Sequence, residues 1–320
     1  MDGSYRFFIV FIDILIPFCL GLWLRKKQIS PEIIRYVIKT NVIPVTTALS
    51  LISFWMVSLT PVLLWLPFSV AFMCFIPAGV FFLFEKRRFS DPREQGSYLA
   101  AMMMGNIGTL AGLCAYILYG ETGFAYVQLI GMPQVLVLVL FCFPAAQYYY
   151  ALWKNQGSAA RPHFRVREML LTWNQLPAAG VAAGLLLSYA GVPHPAAVGT
   201  IFGALIHVSA WMGMIPVGYG TDIKGAFRYW KRLWMLIPVK FMLVPAVLYG
   251  MTRYLTDDQT VLVCVLLSAA APTAIFSVMT SQLYDLSVDL AESSFIMTTL
   301  LFLLIIYPAV YWYIGSGGTL

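Results

Sequence analysis

Asn106, Thr109, Thr273 and Ser277 carry the chemistry of this chain, because each sits at or just beyond an interruption of a long apolar segment. The first interruption is Gly105-Asn106-Ile107-Gly108-Thr109-Leu110-Ala111-Gly112, and the second is Ala269-Ala270-Ala271-Pro272-Thr273-Ala274. Gly105, Gly108 and Gly112 lack the side chains that would hold the backbone in one conformation. Pro272 has no amide hydrogen and disfavours helix at Ala271 before it. Where a helix stops and restarts, the amides of the new first turn have no intrahelical acceptor, and the aligned dipole adds partial positive charge. Here those amides are expected at residues 107–110 and 273–276. Such ends bind anions, Asn106 adds a two-hydrogen amide donor, and Thr109, Thr273 and Ser277 add hydroxyls. A carboxylate is the expected ligand, held around Gly105, Asn106, Gly108, Thr109, Pro272, Thr273 and Ser277. Capping of the half-helices by Asn106 and Thr273 is the structural alternative, and it does not exclude binding.

Three ionisable side chains fall near the centres of apolar segments: Asp13, His207 and Lys240. A charge at such a depth costs roughly 2.5–3.5 kcal/mol on insertion scales, so each needs a partner, a cavity or a neutral state. Lys240 is a substrate-binding candidate; the competing readings are a structural salt bridge and a lysine bonded to free carbonyls at a break. His207 can exchange protons near neutral pH, while packing or hydrogen bonding is the structural alternative for a lone histidine on an apolar helix. Asp13 suits either proton coupling or pairing within the fold. Asp285, Asp289 and Glu292 read as a solvated acidic turn.

These residues are carried by a chain of 320 residues that is 60% apolar and 11% charged, too little polarity for a water-soluble surface. Ten apolar runs have the length of a bilayer-crossing helix, at 7–24, 35–55, 60–84, 97–118, 123–149, 171–191, 196–219, 232–254, 260–283 and 292–314. The runs are continuous, which indicates helices, since barrel strands would alternate. Sixteen basic residues fall in one set of connecting segments (Arg25, Lys26, Lys27 and Arg35; Lys86, Arg87, Arg88 and Arg93; Lys154, Arg161, Arg165 and Arg167; Lys224, Arg228, Lys231 and Arg232). The other set holds Arg6 and Arg253. That asymmetry places both termini on the non-cytoplasmic side. The net charge of +6 therefore belongs to orientation and lipid contact, and no nucleic-acid partner is expected. Five cysteines inside the runs read as apolar fillers, and neither a metal nor a cofactor is expected.

A polar linker at 151–170 divides the chain into halves 1–150 and 171–320, each with five runs and each interrupted in its fourth. A shift of about 165 residues superposes the interruptions and lays Tyr119 on Tyr284. Five is odd, so the halves must be inverted relative to each other. Broken helices at matching places of inverted repeats mark the binding site of a secondary transporter. No His-Glu-x-x-His or Gly-x-Ser-x-Gly pattern indicates an enzyme.

Gly105-Asn106-Ile107-Gly108 with Leu118-Tyr119-Gly120-Glu121, and Ala270-Ala271-Pro272-Thr273-Ala274 with Tyr284 and Asp289, resemble the paired motifs of the auxin efflux carrier family. That family lies within the bile acid/auxin transporter grouping. Gly21-Leu22-Trp23-Leu24-Arg25-Lys26 and Asn41-Val42-Ile43-Pro44 fit it too. The resemblance implies an all-α membrane protein of ten helices, with the fourth and ninth broken and crossing. It implies a scaffold of helices 1, 2, 6 and 7, compatible with a homodimer through them, and a moving bundle of helices 3–5 and 8–10. It implies elevator-like transport of a small organic anion; Gln282, ten residues beyond the second break, lies too far from it to serve a sodium site there, so proton-coupled or gradient-driven transport is expected. A sodium-coupled symporter of the bile-acid type and a non-transporting receptor are the alternatives. The short linker suits a bacterial member, placed in the inner membrane. Many relatives carry a proline soon after the first break, where this chain has Ala111-Gly112-Leu113-Cys114.

Overall fold

A computed structural model describes residues 3–57, 61–155, 176–195, 197–221 and 228–315. Most of the linker at 151–170 and the beginning of the sixth apolar run lie outside these. The described chain is helical, and its one β-type pairing is an isolated bridge. The helices are α1 (Gly3–Lys26), α2 (Pro31–Met56), α3 (Trp65–Arg88), α4 (Pro92–Met103) and α5 (Ile107–Lys154). They continue as α6 (Leu176–Tyr189), α7 (Ala197–Gly220), α8 (Leu236–Leu255), α9 (Gln259–Ala269), α10 (Ile275–Leu283) and α11 (Val288–Ile314). Seven of them (α1, α2, α3, α5, α7, α8 and α11) are long and apolar enough to cross a bilayer. The chain is a polytopic helical membrane protein. Leu176–Tyr189 and Gln259–Ala269 are apolar but shorter, and α4, α9 and α10 are the pieces into which the interrupted runs divide.

The outer surface matches a lipid solvent. Phe68, Leu83, Leu186, Met242 and Leu304 are exposed on helix flanks. Exposed Trp23, Tyr189, Trp234, Tyr254 and Trp312 sit near helix ends, where amphipathic rings suit the interface. Inside, α4 is buried from Gly96 to Met103 and α11 from Leu290 to Thr299. Both pack in a bundle with α3, α5, α8, α9 and α10. The hydroxyls of Ser294 and Thr298 in α11 donate to the carbonyls of Leu290 and Ser294 at 2.8 and 2.7 Å, so these buried polar groups are satisfied within their own helix.

Two other helix pairs form a separate layer. α1 runs along α7, and α6 runs along the second half of α2. Glycine sets both approaches. A Cβ on Gly21 would lie 2.2 Å from the Ile215 carbonyl oxygen, 2.7 Å from the Tyr219 nitrogen and 2.9 Å from Gly218 Cα. A Cβ on Gly184 would lie 2.4 Å from the Leu51 carbonyl oxygen, 2.9 Å from Phe54 Cβ and 3.0 Å from the Trp55 nitrogen. Positions 51, 54 and 55 become 215, 218 and 219 on a shift of 164, and the two glycines differ by 163.

A similar spacing recurs in the bundle. α5 contains a π-helical turn at Leu138–Cys142, followed by Phe143-Pro144-Ala145. α11 contains one at Phe302–Ile306, followed by Tyr307-Pro308-Ala309, again 164 residues on. The cause is local. Each proline removes the amide that would bond the carbonyl four residues back, and its ring crowds that carbonyl, so the helix widens.

The chain reverses within α5 at Gly120, whose φ of +63° is open to glycine. A Cβ at Gly123 would come within 2.4 Å of the Ala115 carbonyl oxygen. In a straight helix these two positions would be roughly 12 Å apart. The first leg of α5 therefore descends from the first break and the second returns beside it.

Candidate functional site

Between α4 and α5 the backbone leaves helical geometry at residues 104–106, and between α9 and α10 at residues 270–274. Met104 is extended, Asn106 has φ −78° and ψ 61°, and Ala274 is extended. The second helix ends one residue earlier than Pro272 alone requires, since Ala270 already has ψ 7°. At the first break the π-helical turn Ile107–Ala111 starts directly after Asn106, so Gly108 belongs to the restarted helix.

The breaks bond to each other. Asn106 N donates to the Pro272 carbonyl at 2.7 Å and Ala274 N donates to the Met104 carbonyl at 3.0 Å, which sets Gly105 opposite Thr273 as an antiparallel pair. Thr273 N donates to Thr298 Oγ1 at 2.9 Å, and Thr273 Oγ1 donates to the Ala101 carbonyl at 3.1 Å. Unwound backbone at this depth is thus satisfied by protein, as the low dielectric demands. Two of the amides expected to be free, those of Thr273 and Ala274, are therefore committed. At the other restart, the first i→i−5 bond is given by Ala111 N to the Asn106 carbonyl at 3.3 Å, so residues 107–110 begin the helix without an acceptor inside it.

The capping alternative does not describe these groups. Asn106 precedes the π-helical turn but its side chain makes no capping bond, and Thr273 spends its hydroxyl on Ala101. Ser277 Oγ donates to the Ala274 carbonyl at 2.8 Å. Pro272, Thr273 and Ser277 line neither of the two cavities at this level, and Asn106, half-buried, does not line them either.

The larger cavity, about 250 Å³, lies between the α2–α6–α7 layer and the bundle. Its polar lining comes from Thr109, Gln128 and Gln134 of α5, Asn41, Thr46 and Ser50 of α2 and Ser209 of α7, with Phe124 and Phe276 among its apolar residues. No charged side chain lines it among the described residues. Asn41 and Ser209 form a reciprocal pair across α2 and α7, Asn41 Nδ2 to the Ser209 carbonyl at 3.1 Å and Ser209 Oγ to Asn41 Oδ1 at 2.8 Å. Gly108 and Thr109 are the two sequence-predicted residues that line this cavity. Gln128 and Gln134 were not singled out by the sequence, because glutamines in an apolar run carry no local signal.

Lys240 stands elsewhere. It is 4% exposed, and its Nζ donates to the Met104 carbonyl at 3.0 Å. With Gly105, Gln134 and Ser268 it surrounds a second space of only about 10 Å³. Gln134 Nε2 donates to the Gly105 carbonyl at 3.0 Å, so two side chains hold the two carbonyls that the first break exposes. This contact is the one that the competing reading of Lys240 describes, a lysine bonded to a carbonyl at a break.

Asp13 and His207, read separately in the sequence, meet across α1 and α7, with His207 Nδ1 2.5 Å from Asp13 Oδ2. The acidic group after α10 is also less uniform than expected. Asp285 is exposed, whereas Glu292 is buried inside α11. No protein-family model and no curated protein matches this chain.

Proposed function

We propose that this protein is a secondary transporter that moves a small organic carboxylate by elevator-like alternating access. The observation that carries the reading is the backbone pairing of Gly105 with Thr273, two helix breaks in separate halves of the chain that complete each other beside a cavity. The ten-span, inverted-repeat organisation is part of the proposal. It is supported by the equivalent glycine contacts of Gly21 and Gly184 and by the π-helical turns 164 residues apart. In this reading α1, α2, α6 and α7 form the scaffold, and the other helices move against it. The auxin-efflux-carrier resemblance, the bacterial inner membrane and non-cytoplasmic termini belong to the same proposal.

A carboxylate in the cavity would meet the restarted helix at Gly108 and Thr109, whose amides have no acceptor within that helix, with the helix dipole behind them and Gln128 alongside. Among the described residues no Asp or Glu side chain lines the cavity. Proton coupling is favoured over sodium. The Met104, Gly105 and Pro272 carbonyls, the oxygens a sodium ion would need at the crossing, already accept bonds from Lys240, Gln134, Ala274 and Asn106. The Lys240 ammonium beside them would also repel a cation.

The test is uptake of labelled succinate and L-lactate into liposomes holding the purified protein. It is combined with thiol labelling of Thr109→Cys in a Cys114→Ser background. Carboxylate uptake with label reaching residue 109 from either side supports a carrier. Transport of a cation or neutral sugar instead, or labelling from one side under every gradient, refutes it.

A further inference from the structure

Among the described buried polar groups, the pair of Asp13 and His207 is accounted for neither by helix geometry nor by the breaks. Asp13 is 4% exposed, and its two oxygens face His207 Nδ1 at 2.5 Å and Trp211 Nε1 at 2.9 Å. The His207 side chain is 33% exposed, so the imidazole is the member of the pair that reaches the surroundings. With Nδ1 turned to the carboxylate, Nε2 is the nitrogen left to exchange a proton. A proton on Nε2 makes the pair a closed ion pair of zero net charge. Without it a carboxylate remains among apolar helices, compensated by two neutral N–H donors, and charge at such depth is costly.

The groups around the imidazole place it at the boundary between the two layers. α1 contributes Asp13. The first leg of α5 contributes Tyr116, whose ring stands edge-on to His207 with centroids 6.3 Å apart. Gly203 makes room for that tyrosine, since a Cβ there would lie 2.8 Å from Tyr116 Oη. Glu121, farther along α5, reaches Gly199, about two turns from His207. α2 meets α7 through Asn41 and Ser209, which bond each other and bring no charge. Ile206, Ser209 and Ala210 of the same helix line the larger cavity. Tyr116 lies on the leg that begins at the first break, so sliding of that leg along α7 changes what covers the imidazole.

We propose that the Asp13–His207 pair is the proton-binding site that couples this carrier to a proton gradient, with Tyr116 as its cover. The proposal rests on the carrier reading. Nε2 takes one proton from the aqueous phase on one side and returns it to the other side after the bundle has moved. One N–H bond forms and the same bond breaks, and Asp13 keeps its negative charge throughout.

Two measurements decide it. Histidine-selective ¹⁵N NMR of the full chain observes three imidazoles, because the sequence has three histidines. The His207 Nε2 signal is expected to change protonation with pH, and Asp13→Asn is expected to displace that change. A His207 ring that keeps one protonation state between about pH 5 and 9 overturns the proposal, whether or not any substrate moves. In liposomes clamped at zero voltage, one proton per succinate lets a gradient of about one pH unit sustain about tenfold accumulation. Asp13→Asn and His207→Gln are expected to bring that accumulation down to equilibration. Accumulation surviving in both variants overturns the coupling role alone. No movement of succinate or L-lactate by the wild type counts against the carrier reading, and the NMR arm still decides the proton site.

Discussion

Lys240 donates a hydrogen bond from Nζ to the Met104 carbonyl oxygen, which also accepts from Ala274 N. The lysine therefore braces the carbonyl that joins the first break to the second. Replacing it with methionine removes a charge-assisted bond worth roughly 1.5–3 kcal/mol. It also removes the cost of burying an ammonium group, and Met104 keeps its other donor. Lys240→Met is expected to change uptake of succinate and L-lactate alike, within about twofold of each other. A loss confined to the dianion would mean that the lysine senses substrate charge.

Thr298 is the acceptor that the Thr273 amide depends on. Thr298→Val strands a buried N–H and is expected to cost roughly 1–3 kcal/mol, measured as a fall in detergent melting temperature. Thr273→Val takes from the buried Ala101 carbonyl its hydroxyl donor and is expected to cost a comparable amount. An unchanged melting temperature in Thr298→Val would contradict the assignment of Thr298 as the acceptor.

The helix layer tests the internal repeat. A methyl group at Gly21 or Gly184 would collide with partner backbone at 2.2 or 2.4 Å, so alanine at either site is expected to destabilise by roughly 1–3 kcal/mol or more. Gly79 and Gly250 meet nothing within 4 Å, and alanine there is expected to be neutral or to stabilise by up to about 1 kcal/mol. If alanine at Gly21 is tolerated while Gly184→Ala unfolds the protein, the two contacts are not equivalent.

The places where the helices fail were legible because their causes are local. A proline without an amide or a run of glycines acts on its own backbone wherever it lies. The apolar runs were legible for the same reason, since bilayer thickness sets their length. What a side chain does at a break was not. Lys240 and Met104 are 136 residues apart, and Asp13 and His207 are 194 apart. Nothing in the sequence says which faces of those helices meet. Glu292 was misread as solvated because a turn residue and the first buried turn of α11 look the same in sequence. The glutamines were passed over because their value depends on the cavity in front of them.

Position in that cavity also ranks the proposed ligand contacts. Gln128 lines the cavity, whereas Asn106, though it introduces the restarted helix, does not. Gln128→Leu removes a donor to an ionised group and is expected to lower carboxylate affinity about 10–150-fold, corresponding to roughly 1.5–3 kcal/mol. Thr109→Val is expected to act in the same direction, because Thr109 lines the same cavity. Asn106→Ala is expected to have the smaller effect, through the shape of the break. Equilibrium binding of labelled succinate to the three variants in detergent separates these roles from transport rates. Undiminished binding in both Gln128→Leu and Thr109→Val, with loss in Asn106→Ala, would move the ligand out of the cavity and onto the crossing itself.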